Sequence, residues 1–286
     1  MENKQQLKLE VLMSVMHQKD FSIAQRTKIS SNLLVINQCD EDKYEEINVN
    51  GYKWRMISTR ERGSHLSRQM ALDNAQGEIC LFCDDDEELA DGYSDIILKA
   101  YEKLPNASAI VFNVTRNNNK SKKSYYWIKK IRKAPKYRGY GTPMLSLKLG
   151  DIQKHGIRMN EIFGAGSVWG GGEDSLFEDE IRKSGLKMYE YPATIANIDY
   201  ANGSTWIDEH NEKYFYNTGG FSEYKYKKNF LIKFVRRFYT AIRLRKDKTL
   251  SFKDKMRWMY LGGRGFLQNI TYKDFMEKEN AKTSNR

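Results

Sequence analysis

The residues best suited to chemistry form two acidic groups. The first is Asp84-Asp85-Asp86-Glu87-Glu88, which directly follows the apolar run EICLFC. A strand entering a loop projects alternate side chains to one side, so Asp84 and Asp86 can converge. Two carboxylates repel unless something positive lies between them. Mg²⁺ or Mn²⁺, hard ions that prefer oxygen ligands, would relieve that repulsion and keep open positions for phosphate. The other reading is a solvated acidic turn that caps a helix starting near Asp91. The second group is Glu173-Asp174, which follows Gly170-Gly171-Gly172. It either acts on a ligand that the glycines let approach, or forms the acidic first turn of a helix.

The surrounding elements decide between these readings. LEVLMSVM (9–16), LLVIN (33–37), WRMIS (54–58), EICLFCD (78–84) and SAIVFNV (108–114) have the composition of buried strands. HLSRQMALDNA (65–75) and DGYSDIILKAYEKL (91–104) are helix-like stretches, ended by Gln76-Gly77 and Pro105. This alternation predicts an α/β fold with a mostly parallel sheet covered on both faces. Such sheets bind ligands at the carboxyl ends of their strands, where the acidic run stands. Further on, the pattern predicts a strand at 143–150 and a short helix. A glycine-dense loop at 163–174 then opens a helix at 175–185. A strand pair follows at 186–192 and 193–200, and helices from about 209.

Arg60, Arg62, Gly63, Ser67, Arg68, Ala71, Ala75 and Gly77 precede the strand EICLFCDDD in the order R-x-R-G-x3-S-R-x2-A-x3-A-x-G. Together with Gly170-Gly171-Gly172-Glu173-Asp174-x-x-Phe177, this order resembles the family 2 glycosyltransferases. The resemblance extends over roughly Leu9 to Trp206. It implies a GT-A (Rossmann-like) catalytic domain over 1–207, and the residue pattern beyond it predicts a helical, basic C-terminal region over 208–286. It also implies an inverting enzyme that moves a hexose or N-acetylhexosamine from a UDP-sugar to a saccharide acceptor. On the family pattern Asp174 is the general base and Glu173 orients it. Asp86, with Asp84, binds Mn²⁺ or Mg²⁺. The nucleotide-sugar contacts fall to Asp40, Arg62, Arg68, Asp84, Asp85, Gly171 and Gly172, with Asp84 near the uridine and ribose.

The chain departs from the family pattern in places. Asn37-Gln38-Cys39-Asp40 stands where a D-D-G-S loop is usual, and Gln69 replaces the usual Asn after Ser-Arg. Asp254-Lys255-Met256-Arg257-Trp258 is similar to the Q-x-x-R-W motif of processive synthases but lacks its Gln. Asp199 and His210 are candidates for a third metal ligand by position alone. Ser204-Thr205-Trp206 either belongs to an acceptor site or anchors the last strand. Cys80 and Cys83 have C-x-x-C spacing, but residues three apart on a strand face opposite ways, so they are core residues.

Charge narrows the partners. The chain has 286 residues, with 48 Lys and Arg against 37 Asp and Glu, a net +11. Residues 116–138 hold ten Lys or Arg and no acid, and 225–248 hold ten against Asp247 alone. The basicity therefore sits in two segments on a mildly acidic body. High aromatic content excludes a disordered chain, and three cysteines fit a reducing compartment. No apolar run is long enough to span a bilayer, and the first ten residues lack the layout of a secretion signal. The expected setting is cytoplasmic, peripheral on the inner face of the membrane, with a lipid-linked acceptor of a cell-surface glycan such as capsule or exopolysaccharide. A metal-dependent nucleotidyltransferase would also explain the acidic triplet, but a second glycine-rich phosphate loop is missing. A basic nucleic-acid-binding protein, with Tyr125-Tyr126-Trp127 stacking on bases, leaves the acidic motifs unexplained, so no nucleic acid is expected.

The segment 229–246 is placed to meet an anionic membrane surface. At about 100° per residue, Phe230, Leu231, Phe234, Val235, Phe238, Tyr239 and Ile242 share one half of a helical wheel. Lys233, Arg236, Arg237 and Arg243 occupy the other half. Such a helix either lies in an anionic bilayer surface or packs on the body with its basic face in water.

Overall fold

In the computed structural model, residues 7–117, 127–199 and 210–284 are described below, and they fall into two compact units. The first runs to Asn160 and resumes at Glu173 through the last strand; the second joins Glu161–Gly172 to the C-terminal helices.

The first unit contains, in order, β1 (Leu9–Met16), α1 (Ser22–Arg26), β2 (Asn32–Gln38), β3 (Lys43–Val49) and β4 (Tyr52–Thr59). Next come α2 (Ser64–Asn74), β5 (Ile79–Cys83), β6 (Glu87–Leu89), α3 (Tyr93–Lys103), β7 (Ala109–Asn117) and β8 (Arg132–Lys133). A 3-10 turn (Thr142–Met144), β9 (Leu145–Lys148), α4 (Leu149–Lys154), α5 (Glu173–Lys183) and β10 (Met188–Asp199) complete it. The sheet order is β3-β4-β2-β1-β5-β9-β7-β10-β6, with β8 paired to β10. The predicted parallel core is the run β4-β2-β1-β5, and β7 and β10 are parallel again. Antiparallel β9 lies between β5 and β7. Antiparallel β3 and β6 lie at the edges; neither has the apolar composition that identifies a strand in sequence. The predicted strand pair after α5 is one continuous strand, β10, with register shifts near Thr194 rather than a turn.

The sheet separates two apolar layers. Val11, Met13 and Val15 of β1 pack in the layer of Tyr93, Ile97, Ala100 and Tyr101 on α3. Leu12 packs in the opposite layer, with Ala71 and Leu72 of α2 and Phe177 and Ile181 of α5. This is the period-2 alternation of a strand buried on both faces. Cys83 belongs to the first layer and Cys80 to the second, both as buried thiols, as the strand spacing predicts. Glu10 of β1 holds the entry to β5: its carboxylate pairs with Arg55 at 2.7 Å and accepts from the backbone N–H groups of Gln76 and Gly77. The A-x-G glycine is thus a structural residue.

The second unit contains α6 (Glu212–Tyr226), α7 (Phe230–Arg243), α8 (Phe252–Leu267) and α9 (Tyr272–Ser284). Helices α6 and α8 cross backbone to backbone. A Cβ on Gly262 would lie 1.8 Å from the Tyr216 carbonyl oxygen, and one on Gly219 2.0 Å from that of Met259. The glycine-dense loop packs into this unit through aromatic rings: Trp169 stacks on Tyr216, and Phe163 meets Phe221, Tyr224 and Phe266. The DKMRW segment lies on α8. Ser251 caps the helix, its Oγ accepting from the Asp254 N–H and donating to the Asp254 carboxylate, and Lys255 is buried, donating to the carbonyls of Leu244 and Asp247. Among the described residues, no helix is long and apolar enough to cross a membrane.

Candidate functional site

Arg68 is the centre of the site. Gln38 at the end of β2 accepts from the Gly63 N–H at 2.7 Å and anchors the start of α2. One turn separates Ser64 and Arg68, so they share a face of that helix. Arg68 donates through Nη2 to Asp84 Oδ1 at 2.9 Å, just beyond β5. Through Nη1 it reaches Asp174 Oδ1 at 3.0 Å and Glu173 Oε1 at 3.5 Å, both in the first turn of α5. Ser64 Oγ donates to the same Glu173 oxygen at 2.9 Å. Asp174 Oδ2 accepts only a long bond, 3.4 Å, from the Thr142 N–H. Two acidic groups ninety residues apart in sequence therefore share one guanidinium.

Three carboxylates around one cation leave excess negative charge. Burial works against the charge on Arg68, but Asp84, Asp174 and Glu173 outweigh it and hold the guanidinium firmly protonated. Asp174 is pushed up to about 6 by burial, with Glu173 and Asp84 adding to the rise and Arg68 opposing it. One turn further along α5, burial pushes Glu178 up to about 7, against the pull of Arg182. A carboxylate that titrates near neutrality, with one oxygen weakly engaged, is suited to accept a proton from a hydroxyl.

The acidic run continues past Asp84. Asp85 and Asp86 are exposed, and Arg26 of α1 donates to the Asp85 carbonyl at 3.0 Å. Glu87, on β6, is buried, with the Cys83 thiol and the Asp84 backbone beside its carboxyl group. Burial raises its carboxyl well above the usual range, and the charges of Asp84 and Asp86 raise it further. This concentration of oxygen donors and negative potential fits a hard divalent cation. Among the described residues no cluster of three or more His, Cys, Asp or Glu forms a metal cage. Asp84 and Asp86 are the residues of the run that could hold such an ion.

Asp40 and Arg62 form a pair of their own after β2 and β4, Nη2 to Oδ1 at 2.7 Å, with Asp40 89% exposed. Asn37, in the segment that replaces D-D-G-S, is spent on the Gln18 backbone and Ser58 Oγ. Gly171 and Gly172 belong to the second unit and have φ of 75° and 99°. A Cβ on Gly172 would collide with the Phe221 ring. His210 Nδ1 lies 2.5 Å from Asp247 Oδ2. The Asp199 side chain, Ser204-Thr205-Trp206 and Tyr125-Tyr126 lie outside the described residues. Ser64, Thr142, Glu178 and Glu87 were missed in sequence. Ser64 and Glu178 each stand four residues from a motif residue, and that helical spacing was the available signal.

Comparison with known proteins bears on the family and the fold. Residues 3–157 match the pattern of the family described as Glycosyl transferase family 2. No curated protein matches the chain. Among solved structures, S. aureus TarS 1-349 in complex with UDP-GlcNAc superposes with a TM-score of 0.56 at 12% identity, covering 94% of this chain and 77% of that one. The same fragment in complex with UDP gives 0.53 at 12% identity, over 96% and 79%. S. aureus TarS gives 0.55 at 12% identity, over 86% of this chain and 44% of that one. At that identity the likeness shows the GT-A fold, and the family match covers more than half of the chain. Fold, motif order and family match converge on one assignment: the chain belongs to glycosyl transferase family 2 and is a glycosyltransferase.

Proposed function

We propose that the protein transfers a hexose or N-acetylhexosamine from a UDP-sugar to a hydroxyl of a saccharide acceptor, with inversion. The observation that carries this reading is Asp174. It is held by Arg68 beside Asp84 at the carboxyl end of the sheet, with its pKa raised to about 6. The UDP-GlcNAc and UDP complexes of TarS support a uridine diphosphate donor. Asp84, Asp85 and Arg68 would then contact the nucleotide-sugar, with Asp40 and Arg62 at the adjoining strand ends.

The acceptor oxygen forms a bond to the anomeric carbon as the bond from that carbon to the β-phosphate oxygen breaks, and the electron pair leaves with UDP. Asp174 takes the acceptor proton as the new bond forms. Glu173, fixed by Ser64 and Arg68, holds the first turn of α5 in place. Asp84 and Asp86 would hold Mn²⁺ or Mg²⁺, which when bound neutralises charge on the departing diphosphate. Arg68 keeps the three carboxylates gathered through direct ion pairs. The proposed acceptor is a lipid-linked saccharide of a cell-surface glycan, met at the cytoplasmic face of the membrane.

The test is a panel of UDP-sugars with Mn²⁺, scored for UDP release with and without acceptor saccharides. Turnover of one donor, abolished by chelation and by Asp86→Ala, is the expected result. Release from no UDP-sugar would overturn the donor, and full activity in excess chelator would overturn the metal.

A further inference from the structure

Helix α7 is turned the opposite way from an ordinary surface helix. Lys233, Arg237, Thr240 and Ala241 face inward, while Phe230, Leu231, Phe234, Val235, Phe238, Tyr239 and Ile242 face solvent. Phe230 is 76% exposed and Leu231 68%. The packed-helix expectation, with the basic face in water, is therefore corrected: two of its cations point into the unit and its aromatic residues point out. The cause is Glu223 of α6, whose carboxylate pairs with Lys233 and, at 3.2 Å, with Arg237. Lys233 and Arg237 are one turn apart, so fixing both fixes the roll of α7 about its own axis.

The exposed face is continuous. Phe234 stacks on Phe238, and Phe238 meets Phe252 at the start of α8 edge to face, with centroids 5.6 Å apart. Cations border it. Lys227 and Lys228 precede the helix, while Arg243, Arg245, Lys246 and Lys248 end or follow it, and all are exposed. Arg245 and Lys248 line an open groove with Leu250 and Phe252. An aromatic face of this size on a soluble surface marks an interaction site. The charge around it selects the partner. A second copy would bring two strongly cationic borders together, which like-charge repulsion disfavours. An anionic bilayer satisfies both features at once, apolar side chains below the headgroups and cations among them.

We infer that α7 docks the protein on an anionic lipid surface, with Glu223 holding its aromatic face toward the bilayer. This stands independently of the donor and of the acceptor. The test uses the full-length protein and vesicles of phosphatidylcholine with or without phosphatidylglycerol, read by co-sedimentation. The protein is expected to sediment with the phosphatidylglycerol vesicles at low salt, to be released by high salt, and to ignore phosphatidylcholine alone. Phe234→Ser with Phe238→Ser is expected to lower vesicle affinity at least about tenfold. Arg243→Glu with Arg245→Glu, which leaves the Glu223 pairs intact, is expected to lower it about tenfold and flatten the salt dependence. UDP release in solution is scored in parallel, so failure of lipid binding and failure of the donor reading are seen separately. The proposal is overturned if wild type stays in the supernatant at low salt, or if the double serine variant binds as wild type does. It is equally overturned if sedimentation velocity shows a dimer that the serine variant dissociates, because the face is then covered by a second copy.

Discussion

Arg68 and Glu223 are mirror images in charge and opposites in purpose. Arg68 gathers Asp84, Glu173 and Asp174, which lie 16, 105 and 106 residues away. Glu223 gathers Lys233 and Arg237, two neighbours on one helix. The first arrangement draws distant elements together and leaves negative charge over, which helps raise the affinity of Asp174 for a proton. The second leaves one positive charge over, and it sets only the rotation of α7. A central ion that joins distant segments makes chemistry possible, whereas one that joins a helical repeat decides which face meets solvent.

Asp174→Asn tests the first half of this comparison most sharply. It preserves shape but removes the proton acceptor, so kcat should fall by about 10²-fold or more while UDP affinity stays near wild type. A collapse of UDP affinity instead would make Asp174 a structural or ligand-holding residue. Arg68→Ala should follow in size. It strands three carboxylates around a buried position, and urea unfolding should show a loss of about 3 kcal/mol. A loss below about 1 kcal/mol would mean that the carboxylates take up protons and the centre needs no cation. Glu223→Ala should cost less, about 2 kcal/mol, because Lys233 and Arg237 have long stems that reach water when released. If it costs as much as Arg68→Ala, the two centres are energetically alike.

The remaining predictions concern pH. Asp174 must be ionised to accept a proton, so kcat/KM should fall as pH drops through about 6. In Arg68→Ala the limb should move higher, because the one opposing charge is gone. The stability effect has a definite sign. A folded pKa raised from 3.8 to about 6 means the native state disfavours ionisation, so Asp174 lowers stability as pH rises through that interval. Asp174→Asn should then be more stable than wild type at pH 7.5, by about 1 kcal/mol or roughly 2–4 °C in Tm. That advantage should vanish near pH 4, where both side chains are neutral. No difference in Tm at the higher pH would show that Arg68 fully compensates the buried charge.

Much of the first unit was legible because its signals are local. Strands β1, β2, β4, β5 and β7 are apolar on both faces, and a strand buried on both faces reads as a continuous run. Helices α2 and α3 carry their own boundaries in Gln76-Gly77 and Pro105. Strands β3 and β6 were missed for the complementary reason: KYEEINV and EEL form edges, where composition is polar and pairing is the only evidence. Asp84 and Asp174 were singled out by motif, yet their meeting through Arg68 was invisible. So was the buried carboxylate of Glu87, because burial of a charged side chain is a property of its neighbours.

The sequence by itself determined which residues are acidic at the end of a buried strand, which loop is dense in glycine, and where the cations accumulate. It also determined that α7 has one apolar and one basic half, because helical periodicity is a matter of spacing. Only the tertiary structure decided which half faces outward. Hydrophobic patterning alone favours burying the aromatic half, and a single carboxylate on α6, placed by the close crossing of α6 and α8 at Gly219 and Gly262, reverses that choice. Electrostatic pairing depends on where other chain segments lie in space, and a one-dimensional pattern does not contain that.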